Sequence, residues 1–68
     1  MKLHDLQASR NAFFRRAESR RKRLLGLVEL FQSKQIEVKR FRHLTATLKA
    51  EHLADCRESR MEVDPLFR

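Results

Sequence analysis

The first half of this chain repeats hydrophobic positions in alternating steps of three and four residues. Helix-breaking residues are almost absent before Asp64, since the chain has one glycine, Gly26, and one proline, Pro65. This spacing is typical of a helix with one apolar seam, here interrupted by two arginines. It predicts a helix over about residues 3–32. The seam positions are Leu3, Leu6, Arg10, Phe13, Ala17, Arg20, Leu24, Leu27 and Phe31.

The second half carries another amphipathic pattern, on one face of a predicted helix over about residues 36–62. Partial strand-like alternation over residues 36–48 has no hairpin turn beside it, so we interpret the segment as helical. A proline at position 65 disfavours helical dihedrals at Asp64 and ends the helix before it. The face comprises Val38, Phe41, Leu44, Leu48, His52 and Cys56.

Polar, non-periodic residues separate the two patterns and predict a turn at about residues 33–35, with Ser33 as a candidate cap for the second helix. If the chain folds back at residues 33–34, facing residues have numbers that sum to about 67. Leu24 then meets Leu44, and Leu6 meets Met61. In the same register, Glu51 and Glu58 lie near Arg16 and Arg10, and the tail, residues 63–68, returns with Leu66 and Phe67 toward Leu3.

The predicted fold is therefore all-α: one small domain, residues 1–68, formed by an antiparallel αα-hairpin. A two-helix layer leaves one face open, so we expect two hairpins to pair into a four-helix bundle. The alternative is one continuous coiled-coil helix. The expected interface residues are Phe13, Leu24, Leu27, Val28, Phe31, Phe41, Leu44 and Leu48.

The small size of the chain also favours association. A chain of 68 residues buries only about 60% of its unfolded surface. Its single cysteine, Cys56, cannot form an internal disulfide, so we expect a homo-oligomer or an obligate partner. One cysteine, no secretory segment and no apolar run of about 20 residues predict an intracellular protein without a membrane span: cytoplasmic, or nuclear in a eukaryotic cell.

The charge is +7 and lies mainly in the first part of the chain. Residues 1–49 hold 13 basic and 4 acidic side chains, whereas residues 50–68 hold 3 basic and 5 acidic ones. Arginine rows on a helix bind phosphates, which predicts a nucleic-acid-binding regulatory or architectural protein, with DNA and RNA both possible. The expected phosphate contacts are Arg15, Arg16, Arg20, Arg21, Lys22, Arg23, Lys39, Arg40 and Arg42.

Three other interpretations of the charges and seam remain open. The arginines can pair internally with Glu51, Asp55 and Glu58. The chain can be an adaptor, chaperone or inhibitor whose amphipathic helices dock on an acidic protein surface. It can also bind a membrane surface through its apolar face and flanking arginines.

Candidate chemistry beyond binding is sparse. His52 and Cys56 are four residues apart and share a helical face, which could offer two zinc ligands across a dimer. No further ligand is in register, so the pair is interpreted as part of an interface. We expect no catalytic residue, no metal and no cofactor. Gly26 either permits a close approach of two helices or is a tolerated interruption of the apolar run.

Overall fold

The fold was obtained as a computed structural model, which describes residues 3–68 and, for side chains, residues 8–68. Helix α1 spans Leu3–Gln32, helix α2 spans Val38–Ser59, and a short 3-10 helix, which we call α3, spans Pro65–Phe67. Helices α1 and α2 pack against each other in a body of 48 × 16 × 15 Å. The predicted all-α hairpin is confirmed, no strand occurs in the part of the chain described, and the continuous helix is wrong.

The connection between the helices, residues 33–37, is two residues longer than predicted. Ser33 does not cap α2, contrary to prediction. Its hydroxyl donates to the carbonyl oxygens of Glu29 at 2.9 Å and Leu30 at 3.2 Å, and thereby closes the last turn of α1. Lys34 adopts a left-handed conformation with φ 60°, which turns the chain away from the axis of α1.

Helix α2 ends at Ser59, three residues before the predicted end near Glu62. Arg60 has φ 54° and ψ 44°, and its backbone N–H donates to the carbonyl of Cys56. The N–H of Met61 also donates to that carbonyl, at 3.0 Å. A left-handed residue at this position is a common helix terminator, so the helix stops well before the proline takes effect.

The longer connection shifts the register of the hairpin. Arg16 faces Asp55, and Phe31 stacks on Phe41 with ring centroids 4.4 Å apart. The numbers of these pairs sum to about 71, not 67, so the predicted register is wrong by about one helical turn. The predicted contact of Leu6 with Met61 lies outside the described side chains.

The buried residues form a compact cluster near the centre of the hairpin: Phe13, Arg20, Leu48, His52, Cys56 and Phe67. Of the predicted interface residues, Phe13 and Leu48 are buried, and Leu24, Leu27, Val28, Phe41 and Leu44 are half-buried. Phe31 is exposed despite its stacking partner. The hairpin thus uses the predicted seam but covers only part of it.

The tail, residues 63–68, folds back against the middle of the hairpin. The ring centroid of Phe67 lies 4.6 Å from that of His52, and the backbone N–H of Asp64 donates to His52 Nε2 at 3.0 Å. Leu66 and Phe67 border a depression beside Leu24. The expected return of the tail toward Leu3 is wrong, because the early end of α2 brings the tail down at mid-length.

Candidate nucleic-acid interface

The basic residues of α1 between positions 15 and 23, which we call the basic block, are partly engaged in ion pairs inside the hairpin. Arg16 makes a two-pronged contact with Asp55, with its Nε and Nη2 each donating at 2.9 Å to one carboxylate oxygen. Arg20 donates from Nη2 to the same carboxylate at 2.7 Å. The predicted internal pairing therefore forms at Asp55, through one acid that two arginines share.

The local electrostatics at Asp55 favour its charged form strongly. Hydrogen bonds from Arg16 and Arg20 hold its pKa well below the usual range of a carboxyl, despite the opposing effect of burial. The same contact raises the pKa of Arg16. Ser59 Oγ also bonds to the Asp55 carboxylate, at 3.3 Å. This cluster is a structural element that ties the two helices together.

The two arginines differ in their access to solvent. The Arg20 side chain is only 9% exposed, whereas that of Arg16 remains 49% exposed while it is paired. Arg20 belongs to the predicted phosphate-binding set, yet it lies in the core and a polyanion cannot reach it in this conformation. Sequence spacing had already placed Arg20 on the apolar seam, but it could not identify the acid that receives it.

Asp64, which lies in the tail, is a second acid that forms an ion pair with the basic block. Arg21 Nη1 donates to both carboxylate oxygens of Asp64, at 3.1 and 3.3 Å. Asp64 also accepts the N–H of Leu66, which caps α3, and this bond is the main reason that the pKa of Asp64 is lowered. In the sequence Asp64 marks only the stop of the preceding helix, although an acid before proline is also a recognisable capping signal.

The exposed part of the block lies on the outer surface of α1. Arg15, Lys22 and Arg23 surround a shallow depression that also includes Glu18 and Ser19. The one ion pair here among the described residues is weak: Lys22 Nζ lies 3.5 Å from Glu18 Oε1, with both side chains more than 60% exposed. In the single hairpin these three cations keep their hydrogen-bond donors available to a ligand, which the buried Arg20 does not.

The basic residues at the start of α2 form a separate group. Lys39, Arg40 and Arg42 are all exposed and lie near the connection. In the observed register Arg40 stands opposite residue 31 or 32, so about 16 residues of helix separate it from Arg15. At about 1.5 Å per residue this is roughly 25 Å. The hairpin does not gather the predicted phosphate-binding residues into one site, but places them in two groups along its length.

An open apolar groove occupies one flank of the hairpin. Four residues of α1 and four of α2 enclose about 470 Å³ there, and a methyl group added at Gly26 would meet no atom within 4 Å. Within the hairpin, therefore, no helix approaches closely at Gly26. The lining residues are Arg23, Gly26, Leu27, Leu30, Leu44, Thr47, Leu48 and Glu51.

The His52–Cys56 pair is built into the core. His52 Nε2 accepts the N–H of Asp64, so the ring carries its proton on Nδ1, which has no partner in the buried cluster. Cys56 Sγ lies 3.4 Å from Nε2 and 3.5 Å from the carbonyl oxygen of Glu62. Burial lowers the pKa of His52 and raises that of Cys56. Residues 8–68 contain no cluster of three or more side chains able to hold a metal ion.

Comparison with known proteins adds no independent guide to function. No family model, curated protein or solved structure matches this chain. Within the described residues, neither α1 nor α2 is apolar enough over a sufficient length to cross a bilayer.

Proposed function

We propose that this chain is a small basic nucleic-acid-binding protein that acts in regulation or architecture as a dimer of hairpins, a four-helix bundle. The observation that carries the proposal is the outer surface of α1, where Arg15 and Lys22 are exposed and hold no partner that competes strongly for a phosphate. Arg16 and Arg21 stand beside them with about half of each side chain exposed. We propose that the protein is intracellular, and we assign it no catalytic activity.

The physical basis of the proposal is charge together with donor geometry. Lysine and arginine that neutralise phosphates release condensed counterions, which gives affinity without sequence preference. Phe13 and Phe67 are buried and Phe31 stacks on Phe41, which leaves Phe14, 54% exposed, as the phenylalanine ring most open to a base among the described residues. A single ring does not form the row of platforms on which successive single-stranded bases stack. Backbone contact along a duplex is therefore the mode that the surface favours. A second exposed basic group, Lys39, Arg40 and Arg42, lies roughly 25 Å from Arg15 along the hairpin, a distance of about seven nucleotide steps at ~3.4 Å each.

The test is a comparison of two variants with the same net charge. R15Q/K22Q removes two exposed cations from the α1 surface, and R57Q/R60Q removes two from the acidic part of the chain. Fluorescence anisotropy with a labelled 20-base-pair duplex, made once as DNA and once as RNA, should show at least tenfold weaker binding for the first pair only. Equal losses for both would mean that only overall charge matters. Undetectable binding by the unaltered chain would refute the proposal.

The second candidate function is a helical adaptor, chaperone or inhibitor that docks on a larger protein. The groove beside Gly26 favours it, together with the exposed apolar side chains near the connection, Leu30 and Phe31. The salt dependence of the affinity separates the two candidate functions. An adaptor would lose little affinity for its partner at raised salt, whereas the affinity of a phosphate-binding surface falls steeply.

A further inference from the structure

We propose that the groove beside Gly26 is the contact surface for a second copy of this chain, with the two-fold axis parallel to the helices and both connections at the same end of the bundle. The inference rests on the dimer proposed above, but not on nucleic-acid binding. It specifies the face, the orientation and the charge pairs of that dimer.

The groove residues form one continuous face on each helix. Arg23, Leu27 and Leu30 are spaced by four and three residues on α1, and Leu44, Leu48 and Glu51 repeat that spacing on α2. Side chains at this spacing line one face of a helix. The two faces lie side by side, with leucines along most of the groove and the charged residues Arg23 and Glu51 at the end away from the connection.

The tail does not compete for this groove. It packs along a different flank, where Leu66 and Phe67 lie with Leu24 and Lys49. Thr47 faces the groove and Lys49 faces the tail, and residues two apart on a helix point about 160° apart. The hairpin thus has one flank that its own tail covers and one flank that this tail leaves open.

The elongated hairpin exposes more surface than a compact chain of its mass, and part of this surface is available to a partner. Its accessible surface is 5838 Å², whereas a compact monomer of 8.2 kDa exposes about 4,500 Å². The excess is about 1,300 Å², and a stable dimer of ordinary size buries about 800 Å² on each partner. A second hairpin laid along the open flank covers an area of this order.

The charges of Arg23 and Glu51 favour one of the two possible orientations of the second copy. With the axis parallel to the helices, α1 of each copy faces α2 of the other at the same height. Arg23 of one chain then meets Glu51 of the other, twice, and leucines meet leucines. With the axis perpendicular to the helices, the charged end of one groove lies over the leucine end of the other, which leaves charges against apolar surface at a cost. Among the described residues, neither Arg23 nor Glu51 has an ion-pair partner within its own chain.

Gly26 supports the same arrangement. It adds no side chain to the α1 wall of the groove, and the space above it is empty. A glycine in a helix interior costs about 1 kcal/mol relative to alanine. Its place on an open wall is explained if another helix approaches there, since a helix can come closest where no side chain intervenes.

The test mixes two variants, neither of which is expected to form the dimer by itself. R23E places two acids at the groove end and E51R places two bases there, so each variant alone opposes like charges across the axis. Sedimentation velocity should show a dimer for the unaltered chain at micromolar concentration and at least tenfold weaker association for each variant. An equimolar mixture should regain the dimer, because both cross pairs are again opposite in charge.

The mixture distinguishes an interface from an effect within one hairpin. If Arg23 and Glu51 acted only within their own chain, mixing would restore nothing, and the proposal would fail. R57E makes the same charge change as R23E outside the groove and should leave the dimer intact. G26L fills the groove of a hairpin that has room for it, so helicity by circular dichroism should persist while the dimer is lost. A G26L chain that still dimerises would also overturn the proposal.

Cross-linking tests the orientation directly. With C56A to remove the native thiol, K34C places one cysteine in each connection. A parallel axis brings the two cysteines to the same end, about 8–10 Å apart across one helix spacing, within reach of a short bismaleimide cross-linker but too far apart for a direct disulfide. A perpendicular axis through the groove, whose centre lies about seven residues from Lys34, puts them roughly 20 Å apart, and absence of the cross-link in a sample shown to be dimeric would contradict the proposed axis. None of these measurements uses nucleic acid, so their failure leaves the phosphate-binding proposal separately testable.

Discussion

Asp55 is the acid on which the hairpin depends most, and its replacement by asparagine is the most informative perturbation of the fold. The D55N variant keeps the shape of the side chain but removes the charge that Arg16 and Arg20 share. Arg20 is buried, and one of its nitrogens, Nε, already lacks a partner. D55N would therefore leave a buried guanidinium without its counter-charge.

The expected magnitude follows from burial. Removing one partner of a buried ion pair costs about 3–5 kcal/mol, because the other charge stays desolvated. A chain of 68 residues has a total stability of about 3–10 kcal/mol. D55N should thus remove a large share of the free energy of unfolding, measured by urea titration with circular dichroism at pH 7. The exposed pair of Glu18 and Lys22 supplies the control, and E18Q should change stability by less than about 0.5 kcal/mol.

The reverse truncation should be much cheaper. R20M removes the buried charge and leaves Asp55 with its contacts to Arg16 and Ser59. We expect R20M to cost less than half of what D55N costs, and R20M/D55N to be more stable than D55N alone. Equal costs for the two single variants, or a cost below about 1 kcal/mol for D55N, would refute the claim that desolvation of Arg20 governs this site.

Three further predictions concern the groove and the tail. G26A should raise the free energy of unfolding by about 1 kcal/mol in a urea titration of the dilute, monomeric hairpin, because the new methyl group meets nothing within the chain and the helix propensity improves; a loss under these conditions would contradict the open groove. F67A should cost about 3–5 kcal/mol by the same assay, while L66A, at an exposed neighbour, should cost less than about 1 kcal/mol; equal costs would show that the tail is not docked. The free energy of unfolding should fall as the pH drops below about 6.5, because burial and the nearby charge of Arg20 lower the pKa of His52 in the folded state, so that the unfolded chain takes up the proton first. The variant H52Q should abolish this decline. A free energy of unfolding that stays constant from pH 7 to pH 5 in the unaltered chain would contradict the prediction.

The fold could be predicted from spacing because apolar residues at intervals of three and four specify helices, and a short polar gap specifies a reversal. The register could not, because it depends on the left-handed turn at Lys34, which no glycine or asparagine announces. A shift of one turn was enough to exchange Glu51 for Asp55 as the partner of Arg16. The end of α2 was missed for the same reason, since Arg60 takes a left-handed conformation that is uncommon outside glycine.

The candidate site was foreseen as a class of residues, but not as a geometry. The arginine-rich half of α1 was visible in the composition, and so was the place of Arg20 on the apolar seam. Which arginines are available to a ligand depends on two acids, Asp55 and Asp64, which lie about 40 residues away along the chain. Such pairings follow from tertiary packing, so a single sequence offers no periodic signal for them.

The salt dependence of duplex binding tests the proposed phosphate-binding surface most directly. The logarithm of the association constant should fall linearly with the logarithm of salt concentration, with a slope of about −0.9 for each phosphate neutralised. R15Q/K22Q should make that slope shallower by about 2, while R57Q/R60Q should leave it unchanged. A slope near zero for the unaltered chain, or the same slope for both variants, would contradict the account that the exposed face of α1 binds nucleic acid.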